Sequence, residues 1–249
     1  TTDLNLNGGF NKGEYAVVVE DTSLAADKVT ELAAITTANV STSANLATVT
    51  GSIAQLLYLG ALNDGEGAGN LTMAGGYNVI IDVTGGTTAA ADELRSILEN
   101  TAGTVTADGL TDISGEADDI TAVQNEGSFS HDGDDYTVTI ADADGNLTVT
   151  EINAIAGLTG GVGTAVAIST DIADYDGTNA TLTTLSTDKI AITINNTPVD
   201  AAKLVVLDNK TATIINATAV EDFSGAADEV AAIVSSEGVS LDTDFTSTV

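Results

Sequence analysis

A chain of 249 residues with 43% hydrophobic content can bury a sizeable core, and six Lys and Arg set against 37 Asp and Glu give it a formal charge of −31. That balance excludes nucleic acid and anionic lipid as partners, because both are recognised through clustered Lys and Arg. Without Cys there is no disulfide, thiolate catalyst or Cys-ligated zinc, and no run approaches the ~18 apolar residues of a membrane-spanning helix.

Residues 1–14 read as an N-terminal extension or cap, with strand-like alternation and no helix partner. The start at Thr1 reads as a processed terminus or as a segment of a longer chain. From Tyr15 to Thr36 a β-type run passes a polar turn and becomes a helix pattern with Leu24, Lys28, Leu32 and Ile35 at helical spacing. A second unit follows at Val49–Gly60, a short strand leading through Thr50 and Gly51 into another helix, and then a Gly/Asp-rich loop over 63–70. The alternation recurs at Tyr77–Thr101, where Leu94, Ile97 and Leu98 form an apolar stripe, and at Ile113–Gly127. A second loop is expected over 128–135. The third cycle is Tyr136–Thr159, with Ile152, Ile155 and Leu158 as its stripe. After it Gly160–Gly163 reads as a loop, and a further unit starts at Tyr175. Ile190–Thr211 and Phe223–Gly238 complete the series, and 241–249 reads as a C-terminal extension.

The first members of the four pairs start at Tyr15, Tyr77, Tyr136 and Ile190, so they lie 62, 59 and 54 residues apart. In the second members, Gly51, Gly115, Gly177 and Gly225 keep step, each preceded by a candidate helix cap at Thr50, Ser114, Asp176 or Ser224. A strand–helix unit this short cannot bury its own apolar face and has to lean on its neighbours. Runs such as Val17–Val19 and Val79–Ile81 suggest strands buried on both faces of a parallel sheet. The expected fold is therefore α/β, a repeat solenoid of about eight strand–helix half-units in four repeats of roughly 58 residues with a parallel sheet. The repeats fall near 15–76, 77–135, 136–189 and 190–240. The competing arrangements are a compact α/β sandwich and two domains meeting near 128–135.

Candidate chemistry is sparse. Counted as a twelve-residue calcium loop from Ile140, the third cycle places Asp142, Asp144, Thr148 and Glu151 at positions three, five, nine and twelve, with Gly145 at six. These four are the candidate metal ligands, and Ca²⁺ is the one cofactor expected. Position one is Ile140 instead of Asp and the preceding element reads as a strand, so the segment reads first as an ordinary strand–helix turn and second as a calcium loop. His131 is the only His and sits in an acidic loop. No nucleophile elbow or phosphate-binding Gly loop occurs. Asn39, Asn70, Asn146, Asn179, Asn195, Asn209 and Asn216 open Asn-x-Ser/Thr triplets.

Two motifs carry a resemblance. Ala90–Thr101 (AADELRSILENT) and the matched stretches Ile113–Ile120 (ISGEADDI) and Phe223–Val230 (FSGAADEV) are similar to tandem repeats of very large, acidic, Cys-free surface proteins of cyanobacteria and other aquatic bacteria, including S-layer-like and RTX-associated proteins. The resemblance spans roughly residues 15–240. It implies an exported, often calcium-linked structural array. The nonapeptide Gly–Asp repeat of RTX proteins is absent here. The expectation is an extracellular, non-catalytic surface-layer or filament subunit, associating as a homo-oligomer or polymer through its ends. The alternative is an adhesin or virion-fibre module that binds a cell-surface glycan or receptor.

Overall fold

The computed structural model describes residues 16–64, 70–131, 136–141, 147–156, 161–167, 171–175 and 182–249. Strands and helices alternate in chain order as β1 (Val17–Val19), β2 (Ser23–Ala25), α1 (Ala26–Ile35), β3 (Val40–Thr42), β4 (Thr48–Gly51), α2 (Ile53–Asn63), β5 (Leu71–Thr72) and β6 (Asn78–Ile81). Next come β7 (Thr88–Ala90), α3 (Ala91–Glu99), β8 (Val105–Thr106), β9 (Asp112–Gly115), α4 (Ala117–Asn125), β10 (Phe129–Ser130), β11 (Thr137–Ile140), α5 (Val149–Ala156) and β12 (Gly161–Val166). A 3₁₀ turn (Ile172–Tyr175) precedes β13 (Ile190–Ala191), β14 (Val199–Asp200), α6 (Ala201–Asp208), β15 (Ile215–Ala217), β16 (Asp222–Ser224), α7 (Ala227–Ser235), β17 (Val239–Leu241) and β18 (Thr246–Thr248). The protein is thus α/β, with seven α-helices among the described residues, and every pairing between named strands is parallel.

The chain forms two compact units, each assembled from separated stretches. The first takes residues 1–87, 93–109 and 126–132 and holds the sheets β1-β3-β5 and β10-β8-β6-β4-β2. The second takes 88–92, 110–125 and 133–249 and holds β13-β12-β11-β9-β7, β14-β16-β18 and β15-β17. Among the described residues five sheets replace the one that was expected. The cause is that most cycles contribute two short strands, not one, and the two join different sheets.

The core is aliphatic and layered. In one cycle Val105, Ala107, Leu110 and Ile113 are buried, and in another Ile215, Ala217, Val220 and Phe223 are buried at the same spacing. Both cycles run strand, turn, strand, then a Ser-Gly pair. The strands bury one face only: Val19, Val79 and Ile81 point inward, whereas Val18 is 61% and Ile80 43% exposed. This corrects the reading of Val17–Val19 and Val79–Ile81 as doubly covered. A run of Val and Ile has the same composition whether or not its second face is covered, so period-2 burial is invisible in it.

Neighbouring cycles interlock through a small-residue pair. α1, α3 and α6 each begin on an Ala (Ala26, Ala91, Ala201) that is completely buried. The strand registers end at Ala25 with Thr50, Ala90 with Ser114 and Asp200 with Ser224, so the next residue on each side sets Gly51, Gly115 and Gly225 beside those Ala residues on the next rung. A Cβ on Gly51 would lie 2.8 Å from the Ala26 methyl, and one on Gly115 would lie 3.0 Å from that of Ala91. One on Gly225 would come within 3.5 Å of Ala201, at a backbone φ of +149° that itself favours Gly. Of the four Gly residues that keep step in sequence, Gly177 lies outside the described residues, and the other three mark where a helix start lies against the following strand.

The expected caps are displaced. Thr50, Ser114 and Ser224 lie inside β4, β9 and β16, because the strand runs up to or through the Gly before the helix starts. α2 is capped instead by Ser52, whose hydroxyl accepts from Gln55 N while the Gln55 side chain accepts from Ser52 N. At α7 the Glu229 carboxylate accepts from Ala226 N at 2.8 Å. Asp176 lies outside the described residues, and the described part of the helix expected after it, 182–187, is not helical. In α1 the buried residues are Ala26, Val29 and Ala33, since Leu24 belongs to β2. Gly161–Val166 is a strand in place of the expected loop, held by β11 on one side and β13 on the other. Phe129–Ser130 likewise forms β10 inside the second expected loop.

Candidate calcium loop and buried polar locks

Of the four candidate calcium ligands, Asp142 and Asp144 lie outside the described residues. Thr148 and Glu151 are brought together, and they are engaged with each other. Glu151 Oε2 accepts from Thr148 N at 2.9 Å and from the Thr148 hydroxyl at 2.6 Å. Glu151 N in turn donates to Thr148 Oγ1 at 3.3 Å. This is a reciprocal capping box at the start of α5, which satisfies two backbone donors that a helix leaves without intrahelical partners. The Thr148 hydroxyl, and after it the Thr148 amide, hold the Glu151 carboxyl below the usual carboxylate range. A hard cation needs six or more oxygens, and the Thr148 hydroxyl oxygen already serves the cap. Among the described residues no group of three or more His, Asp and Glu is placed to hold a metal ion.

Among the described residues the most buried carboxylate is Asp188, at 2% exposure. Its Oδ1 accepts from Val162 N at 2.9 Å and its Oδ2 from Leu185 N at 2.7 Å. Thr211, also buried, accepts from Ile190 N at 2.9 Å and from Thr213 N at 3.0 Å, and its hydroxyl donates to the Ile190 carbonyl at 2.8 Å. Both side chains therefore act as splints for backbone that no neighbouring strand satisfies.

The Thr211 arrangement recurs after other helices. Thr36 accepts from Ala38 N, Thr101 from Gly103 N and Ser236 from Gly238 N, at 3.0–3.1 Å. Each turns the chain from a helix end into the next strand. Sequence reasoning passed over these residues, although the recurring Thr or Ser just beyond each helix pattern was the available signal. Tyr77 adds a further tie: its hydroxyl donates to the Asn100 carbonyl at 3.1 Å, and the Thr101 hydroxyl donates to the Tyr77 carbonyl. Burial, with Asp64 nearby, pushes the Tyr77 phenol up.

One surface differs from the rest of this acidic chain. The outward positions of β2, β4, β6, β8 and β10 are Ser23 and Ala25, Thr48 and Thr50, Asn78 and Ile80, Thr106, and Ser130, with no charge among them. The hydroxyls of Thr48, Thr50, Thr106 and Ser130 make no hydrogen bond to described residues. In the other unit the corresponding Thr137 and Thr139 hydroxyls both donate to Asp112 Oδ1 at 3.0 Å. Among described residues Tyr58, at 58% exposure, is the one aromatic ring left largely open to solvent.

No helix among the described residues is long and apolar enough to cross a membrane. No family model, curated protein or solved structure matches the chain.

Proposed function

We propose that this protein is a non-catalytic, extracellular structural subunit whose strand–helix cycles stack in series as a repeat solenoid and which self-assembles into a surface layer or filament. The observation that carries the reading is the thrice-repeated Ala–Gly lock at 26/51, 91/115 and 201/225. A lock of that kind orders one cycle against the next, which is the economy of a scaffold.

Copies bearing a charge of −31 repel one another wherever acidic surfaces meet. The uncharged outward face of the five-stranded sheet is where a second copy approaches at least electrostatic cost. That face measures about 24 Å by 7 Å from strand spacing, well under the ~800 Å² per partner of a stable isolated pair. Each contact is accordingly weak, and association is additive and promoted by salt. The glycan-binding alternative wants a cluster of exposed aromatics, and among the described residues Tyr58 stands alone. Negative-stain imaging in seawater-like salt, with and without millimolar Ca²⁺, tests the reading. Ordered multimers are expected, and single particles at every concentration would refute it.

A further inference from the structure

Five of the seven Asn-x-Ser/Thr triplets have a described Asn, and the structure sorts them by what the side-chain amide is doing. Asn70 Nδ2 is within hydrogen-bonding distance of three carbonyls, those of Ala33, Thr36 and Ala38, at 3.4, 2.9 and 2.7 Å. Asn209 Nδ2 donates to the Val205 carbonyl at 2.8 Å. Asn39 is tied through its Oδ1 to the Thr72 hydroxyl on another strand. In the Asn195 triplet the hydroxyl oxygen of Thr197 accepts from Asp222 N, so it is turned toward a different strand.

Among the described triplets, Asn216 alone is joined to the Thr of its own triplet. Its Oδ1 accepts from Thr218 N at 3.2 Å and from the Thr218 hydroxyl at 2.8 Å. A backbone N–H can only donate, so the atom facing Thr218 must be the oxygen, and Nδ2 is left pointing away from it. Asn216 is exposed on β15, and its partners in register on either side, Thr193 and Ser240, are small and exposed. A bulky group attached there meets no large side chain on the flanking strands.

We infer that Asn216 is an N-glycan acceptor in the folded protein, and that Asn70 and Asn209 are sequence matches closed by folding. The inference rests on the reading that the chain is exported, where a glycan-transferring enzyme meets it. The donor is a lipid-pyrophosphate-linked oligosaccharide. Nδ2 attacks the anomeric carbon, the new C–N bond forms, the C–O bond to pyrophosphate breaks with its electron pair leaving on the pyrophosphate, and one amide proton passes to a base of the transferase. The two Thr218 donors stabilise the negative charge that Oδ1 gains as that proton departs.

The test uses the purified folded chain, the lipid-linked donor and an oligosaccharyltransferase that accepts folded substrates, with short peptides spanning each triplet in parallel. Site mapping by tandem mass spectrometry is expected to find sugar on Asn216 of the folded chain and none on Asn70 or Asn209, while the free peptides of all three are modified. Asn216→Gln removes the signal, Thr218→Val abolishes it, and Thr218→Ser retains it. An unmodified Asn216 in the folded chain, or equal occupancy at Asn70 and Asn209, overturns the inference. Because transfer is read in a purified system, the outcome is separate from whether copies assemble.

Discussion

The substitution Gly51→Ala places a methyl carbon 2.8 Å from the Ala26 methyl, with Gln55 Oε1 at 3.3 Å. Ordinary carbon–carbon contact is about 3.5–4.0 Å, so the two rungs must separate by nearly an ångström. Ala26 is fully buried at the first position of α1 and cannot swing aside. Overpacking of this kind costs about 1–3 kcal/mol, offset by the ~0.4–1 kcal/mol that an Ala gains by restricting the unfolded chain. The expected net loss is about 1–2 kcal/mol, read as a lower urea midpoint at unchanged slope. The exchanged pair, Gly51→Ala with Ala26→Gly, restores the space. It is expected to be less destabilised than the two single changes summed, by on the order of 1 kcal/mol. Gly127→Ala, where an added methyl meets nothing within 4 Å, is the neutral control. A neutral Gly51→Ala, or strict additivity in the pair, would refute the interlock.

Thr148→Ala removes the α5 capping box and is expected to cost about 1 kcal/mol, with the Glu151 carboxyl rising toward its ordinary range in an NMR titration. Since the folded state lowers that carboxyl, the capping contribution is present above the unfolded value and is lost as pH falls through the folded one. Acid unfolding of Thr148→Ala should therefore depend less on pH over that interval. Asp188→Ala leaves the buried Val162 amide without its acceptor, at roughly 1–3 kcal/mol, and also removes the acceptor of the part-buried Leu185 amide; denaturant unfolding should register the loss. Burial, reinforced by nearby carboxylates, pushes the Tyr77 and Tyr175 phenols up. Ultraviolet titration should find both ionising above the ordinary phenol range, and stability should decline as pH rises from the unfolded phenol value toward the folded one.

The helices were legible because their apolar stripes are set by side chains alone: Leu94, Ile97 and Leu98, or Ile152 and Ile155, are buried as their spacing implies. The second strand of most cycles was not legible. Elements such as Leu71–Thr72 and Val105–Thr106 are two residues long and carry no alternation; they exist because the neighbouring rung supplies hydrogen-bond partners. Gly161–Val166 is the extreme case. Its Gly-rich start has almost no side-chain signal, and pairing on both sides makes it a strand. The caps were misplaced because Ser and Thr suit an outward strand position as well as a helix start, and only register separates the two at Thr50 and Ser114. At the candidate metal loop, spacing alone could not distinguish a carboxylate aimed at an ion from one folded back on its own helix, as Glu151 is.

If each cycle borrows its stability from its neighbours, damage at one rung should spread only to the rungs beside it. Native-state hydrogen exchange on the Gly51→Ala protein reads this directly. Asn78 N and Asp82 N, bonded to the carbonyls of Ala47 and Gly51, should exchange faster, while Val105 N, bonded to Ser128 on a more distant rung, should keep its protection. The same change at all three amides, or at none of them, would contradict serial stacking.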